Sequence, residues 1–215
     1  MGNKYFFLII VFVLNAPLLF GQNILDSLQV HYKFDGTLLD ETPNDHDLEI
    51  TSGQISFESR IGSDSAVVFT QGSRISSILP FYNAGYEECT VSLWLKSTSV
   101  RFENQFMLQG ALIGFGIFLE PNTGNVIGFF DGSSANSQTS NTTVVDGEWH
   151  HVLIQTNGTS TAMYLDGVFH GKTDEPIYIG DGGSDNIIHL GLSNAGFYPY
   201  IGALDDVRIY NRLLN

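Results

Sequence analysis

The chain has 215 residues, a formal net charge of −14 and one cysteine. That length suits one domain with a sizeable core. The charge argues against nucleic acid and anionic lipid as partners. The lone Cys89 rules out an intramolecular disulfide and a cysteine-based zinc site.

Residues 1–21 read as a secretory signal peptide. Lys4 precedes an apolar run from Tyr5 to Leu14, and the small residue Gly21 stands before Gln22. The run is shorter than the roughly 20 residues a membrane helix needs. The expected mature unit is 22–215, secreted or at the cell surface, with no transmembrane segment after cleavage. Beyond the leader, apolar and alternating runs recur in chain order: LQVHYKF, SAVVFT, RISSI, CTVSLWLKS, QFMLQ, IGFGIFLE, NVIGFF, WHHVLIQT, TAMYLDG, IIHLG and YIGALDDVRIY. Gly, Asn, Asp, Ser or Pro bound each run, and no helical period persists. Many short, regularly spaced strands predict an all-β sandwich or barrel. Asp166-Gly167 suits a type I′ hairpin turn, and residues 121–125 suit a longer hairpin loop. Residues 131–141 and 171–186 read as the longest polar loops, and 77–88 as an aromatic-rich one.

The stretch DGEWHHVLIQ (146–155) holds adjacent histidines. On a strand, neighbours point to opposite faces. Trp149, His151 and Leu153 therefore share one face, and His150, Val152 and Ile154 the other. The pair cannot readily chelate one ion, and its expected role is structural. The longer segment DGEWHHVLIQTNGTSTAMYLDGVFHG resembles the strand–hairpin signature of LamG-like, concanavalin A-like jelly-roll domains. VHYKFDGTLLDETPNDHD, CTVSLWLKS, IYIGDGG and YIGALDDVRIYNRLL resemble further family segments in the right order. The resemblance spans about residues 28–214 and implies two curved antiparallel sheets of roughly a dozen strands. Trp94 and Trp149, each in an apolar alternating strand, are expected to anchor the core.

The fold class includes glycoside hydrolases and lyases. Its retaining hydrolases carry a Glu-x-Asp-x-x-Glu strand, which supplies carboxyls about 5 Å apart. No glutamate here starts that pattern, and no other catalytic motif appears. A non-catalytic module is therefore expected. The turn FDGTLLDETPNDHD carries Asp40, Asn44 and His46, and ALDDVRIY carries Asp205, which alternation places with Val207 and Ile209 on the core side. An inward acid needs a backbone N–H, an Arg or a cation as partner. The resemblance implies a structural Ca2+ held by Asp40 and Asp205, with Asn44 and the backbone near His46 assisting. The alternative is that both acids bond backbone amides. The acidic loop 180–186 is a weaker cation candidate. For ligands, the expected partner is a glycan, which would meet loop aromatics beside polar groups. Phe81 and Tyr82 are candidates, as are Asn194, Phe197, Tyr198 and Tyr200. Adhesion to an extracellular protein is the alternative partner class, and each aromatic has the competing role of a core plug.

Overall fold

The structure is a computed structural model that describes residues 23–60, 62, 64–78, 88–110, 114–130, 137–174 and 186–214. The leader segment, Phe81, Tyr82 and most of the acidic loop 180–186 lie outside the described residues. Among the described residues there are fifteen strands and no helix. They form two antiparallel sheets, one of eight strands and one of seven.

The larger sheet runs β13 (Val168–Thr173), β12 (Thr161–Leu165), β11 (His150–Thr156), β6 (Cys89–Lys96), β15 (Gly202–Tyr210), β4 (Ser65–Phe69) and β3 (Ile55–Ser59). β1 (Leu28–Tyr32) also pairs with β15. The smaller sheet runs β10 (Gln138–Thr143), β9 (Asn125–Phe130), β8 (Phe115–Leu119), β7 (Gln105–Gly110), β14 (Ile187–Leu190), β5 (Arg74–Ile78) and β2 (Glu49–Ser52). Alternation decides which side chains meet between the sheets. Val91, Leu93, Leu95, Val152 and Ile154 of one sheet share a buried core with Met107, Phe115, Ile117, Leu119, Val126 and Phe130 of the other.

Both predicted hairpins form. Asp166 and Gly167 have φ of 52° and 75°, the left-handed pair that a type I′ turn requires. Residues 121–124 join β8 to β9, with Glu120 and Asn125 closing the loop by a 2.8 Å backbone bond. In the polar segment 131–141 residues 131–136 lie outside the described residues, and Gln138 onward is strand β10 rather than loop.

Register shifts interrupt alternation in several strand pairs, and the one in β15 falls at a candidate site residue. The register slips between Asp205 and Arg208, and Asp206 sits at φ 48°. This is a β-bulge, which places an extra residue on one strand and changes its parity. Leu204 opposite Leu95 faces the core, as do Val207 and Ile209 beyond the bulge. Asp205, opposite Trp94, faces the other way, which corrects the core-side placement read from simple alternation.

Candidate functional site

The outer face of the seven-stranded sheet is aromatic at its centre. Phe106 of β7 stands opposite Phe118 of β8, and Gly116 of β8 opposite Phe129 of β9. Each of these phenylalanines is half-buried between core-facing neighbours. The Phe106 and Phe118 rings stack at 4.9 Å, close to the spacing of adjacent strands. Phe129 meets Phe118 edge-on at 6.0 Å and lies over Gly116, where any Cβ would collide with its ring. The row continues onto the loop after β14, where Tyr198 lies 6.0 Å from Phe106 and Phe197 lies 6.3 Å from Tyr198. Phe197 is 64% exposed and Tyr198 40%.

That loop is tightly held. The Ser193 hydroxyl donates to the Phe197 carbonyl at 2.7 Å and accepts from the Phe197 N–H at 3.1 Å. The Phe106 N–H donates to the Tyr198 carbonyl at 3.0 Å, and Pro199 bridges to Phe106. Between these clamps Tyr198 has φ 62°, a left-handed conformation costly for a bulky residue. Beside the aromatics lies a polar edge. The Asn194 N–H donates to Gln109 Oε1 at 2.9 Å. Arg74 of β5 donates from Nη1 to the Asn194 carbonyl over a long 3.4 Å and from Nε to Thr51 Oγ1 at 3.1 Å. Asn194 and Tyr198 thus sit on the same loop, Asn194 against Arg74 and Gln109 and Tyr198 against Phe106 and Phe197. Arg74, Gln109 and the phenylalanine row are additions that only the sheet pairing reveals.

Tyr200 does not belong to this surface. It is fully buried, and its hydroxyl hydrogen is shared between the carbonyls of Lys96 and Ala203, each 3.0 Å away. Burial pushes its phenol well above the usual range. It is a core plug beneath the loop.

The expected calcium residues are committed elsewhere. Asp40 Oδ1 accepts from the N–H groups of His31 and Thr42. Its Oδ2 accepts from the Thr42 hydroxyl and the His46 N–H. These four bonds use about all the acceptor positions a carboxylate has. Asn44 donates its side-chain amide to the Gln29 carbonyl, and the His46 carbonyl accepts from the Tyr32 hydroxyl. Asp205 pairs with the Arg60 guanidinium at 2.5 Å. Calcium needs six to eight oxygens, and these residues, so arranged, do not fit one. Among the described residues no group of three His, Cys, Asp or Glu is poised for a metal.

Asp205 belongs instead to a cluster on the outer face of the eight-stranded sheet. The Arg60 guanidinium lies 4.5 Å from the Trp94 ring and 4.9 Å from that of Trp149, within cation–π range. Both tryptophans are half-buried on this face and neither joins the inter-sheet core, contrary to the sequence expectation. Burial raises the Asp205 carboxyl to about 6 against the opposing pull of Arg60. His151 packs 5.1 Å from Trp94 and pairs with the Ser92 hydroxyl at 2.8 Å. His150 lies between Asp166 and Asp146, at 2.8 and 3.1 Å. The two imidazoles thus take separate partners.

Comparison with known proteins bears on the whole arrangement. The family model Laminin_G_3, described as the concanavalin A-like lectin/glucanases superfamily, matches residues 62–215, more than half of the chain. The chain belongs to this superfamily. Among solved structures, this concanavalin A-like domain is similar to domain 4 of AbnA, a GH43 extracellular arabinanase from Geobacillus stearothermophilus, in complex with arabinotriose. The identity is 23% and the TM-score 0.68, with 88% of this chain and 94% of that one covered. It is also similar to the binding domain of botulinum neurotoxin DC in complex with SialylT (15% identity, TM-score 0.66) and to that of Paraclostridial Mosquitocidal Protein 1 (17%, 0.69). In both cases 88% of this chain is covered, but it spans only about half of the toxin domain, 49% and 50% respectively. No curated protein matches the chain. At these identities the likeness extends to the fold. The concanavalin A-like jelly roll expected from the sequence is the fold observed.

Proposed function

We propose that this concanavalin A-like domain is a non-catalytic glycan-binding module, secreted or displayed at a cell surface. One observation carries the reading: Tyr198 and Phe197 are held outward by a strained, doubly clamped loop beside Asn194, Gln109 and Arg74. Sugars present apolar ring faces edged by hydroxyls, so a recognition surface combines an aromatic with amide and guanidinium groups. A loop fixed before binding loses little entropy on binding. The bound arabinotriose and SialylT of the two structural neighbours support a glycan as the ligand class, and the leader pattern at residues 1–21 supports an extracytoplasmic location.

A glycan array followed by titration calorimetry tests this. Tyr198→Ala and Phe197→Ala are each expected to weaken binding about 10-fold, roughly 1.4 kcal/mol, while the melting temperature stays near that of the parent. Absence of any glycan ligand, with capture of an extracellular protein through the same two residues, would replace this reading with protein adhesion.

A further inference from the structure

The polar edge of this site carries a positive charge that the fold leaves without a carboxylate. Lys33, Arg60, Lys96, Lys172 and Arg208 each sit against an acid. Arg74 does not: among the described residues its guanidinium meets only the Thr51 hydroxyl and the Asn194 carbonyl. Among the described residues Arg101 and Arg212 also lack an ion-pair partner, with Arg212 bonded to the carbonyls of Asn23, Asp26 and Leu213, but of the three only Arg74 donates to the loop that carries Phe197 and Tyr198. Those two contacts involve Nε and Nη1 and hold the planar group in place, yet a guanidinium has five N–H donors. Nη2 and the second hydrogen of Nη1 remain for another acceptor. The side chain is half-exposed and touches the loop that presents Phe197 and Tyr198.

A fixed guanidinium with free donors is matched by a carboxylate, which it can grip through two parallel bonds. We propose that the glycan carries an acidic sugar, whose carboxylate is bound by Arg74 while its ring packs on the adjacent aromatic pair. This rests on the glycan-binding reading above. The overall charge narrows the class further. A polyanion would be repelled along its length by the acidic surface, whereas one carboxylate on an otherwise neutral oligosaccharide meets mainly its local partner. The ligand class is therefore a neutral glycan bearing a single terminal acidic sugar, of the sialic or uronic type.

The test compares sialyllactose and a glucuronate-terminated oligosaccharide with their own methyl esters, which differ only in charge. The free acids are expected to bind at least 10-fold more tightly than the esters. In Arg74→Gln that ratio should fall to about one, and Arg74→Lys should keep part of it. Melting temperatures of both variants separate loss of recognition from loss of fold. Equal binding of acid and ester, or a ratio unchanged in Arg74→Gln, would overturn the role of Arg74 and leave glycan binding intact. Tighter binding of polygalacturonate than of either terminal acid would overturn the single-acid class. Failure of every glycan, neutral or acidic, would remove the glycan-binding reading itself.

Discussion

His150 shows how one side chain can tie two turns together and make the tie depend on pH. Its ring nitrogens meet Asp146, in the turn before β11, and Asp166, in the β12–β13 turn. Burial alone would lower its pKa, but the bonds to Asp166 and Asp146 outweigh burial and raise it. A histidine with a raised folded pKa stabilises fully below its unfolded value of about 6.5, and that contribution is lost as pH rises through the folded value. The melting temperature should thus fall as pH climbs above about 6.5, and His150→Gln should flatten that decline in a thermal-denaturation series. Asp205 makes a different prediction. Removing its carboxylate strands the Arg60 guanidinium between two tryptophan rings, with Asp64 at 3.8 Å the one remaining acid within ion-pair range among the described residues. Asp205→Ala should cost about 3 kcal/mol in chemical denaturation, as expected for breaking a buried pair. The same residues show how far a sequence can be read. Tyr198 and Tyr200 lie two apart in one aromatic loop, and nothing local says which turns inward. The outcome depends on whether a hydroxyl reaches the carbonyls of Lys96 and Ala203, groups set by other strands. Trp94 and Trp149 read as core because their strands are apolar. In fact they are shielded from outside by Arg60, a contact that pattern alone does not reveal.

At the scale of elements, the strands with a core-facing apolar side were legible and those without one were not. β2, β3 and β10 have largely exposed patterns and lie at the sheet edges. An edge strand needs backbone partners more than an apolar face, so its composition resembles a loop. The β15 bulge hides the direction of Asp205 in the same manner, since one extra residue reverses parity. The left-handed conformation of Asp206 is one that Asp tolerates better than most residues. It is further fixed by bonds to His31 at 2.6 Å and Arg208 at 2.8 Å. Gly191 is the corresponding device under the candidate site. It has φ 88°, a Cβ there would strike the Phe69 ring, and its carbonyl accepts from the Tyr200 N–H at 2.9 Å. Gly191→Ala should therefore destabilise the fold by about 2 kcal/mol. It should also weaken ligand binding, because the loop carrying Tyr198 starts from that residue. Parallel melts and titrations on the one variant would check both effects.

For the whole molecule, a core of two facing sheets is held without a disulfide, since Cys89 is buried and free. The donors around Asp40 and the arginine on Asp205 already do locally what a cation would do. EDTA is accordingly expected to leave the melting temperature unchanged, and a downward shift of several degrees would show that a metal takes part. The topology also has a temporal consequence. β15, the latest in chain order of the described strands, lies in the interior of its sheet, between β6 and β4 and paired as well with β1. A nascent chain stopped before Gly202 could assemble only β13-β12-β11-β6 on one side and β4-β3 on the other, each with an open edge where β15 belongs. Synthesis must reach Tyr210 before the eight-stranded sheet can close, and until then the half-made chain exposes two strand edges that other chains could pair with.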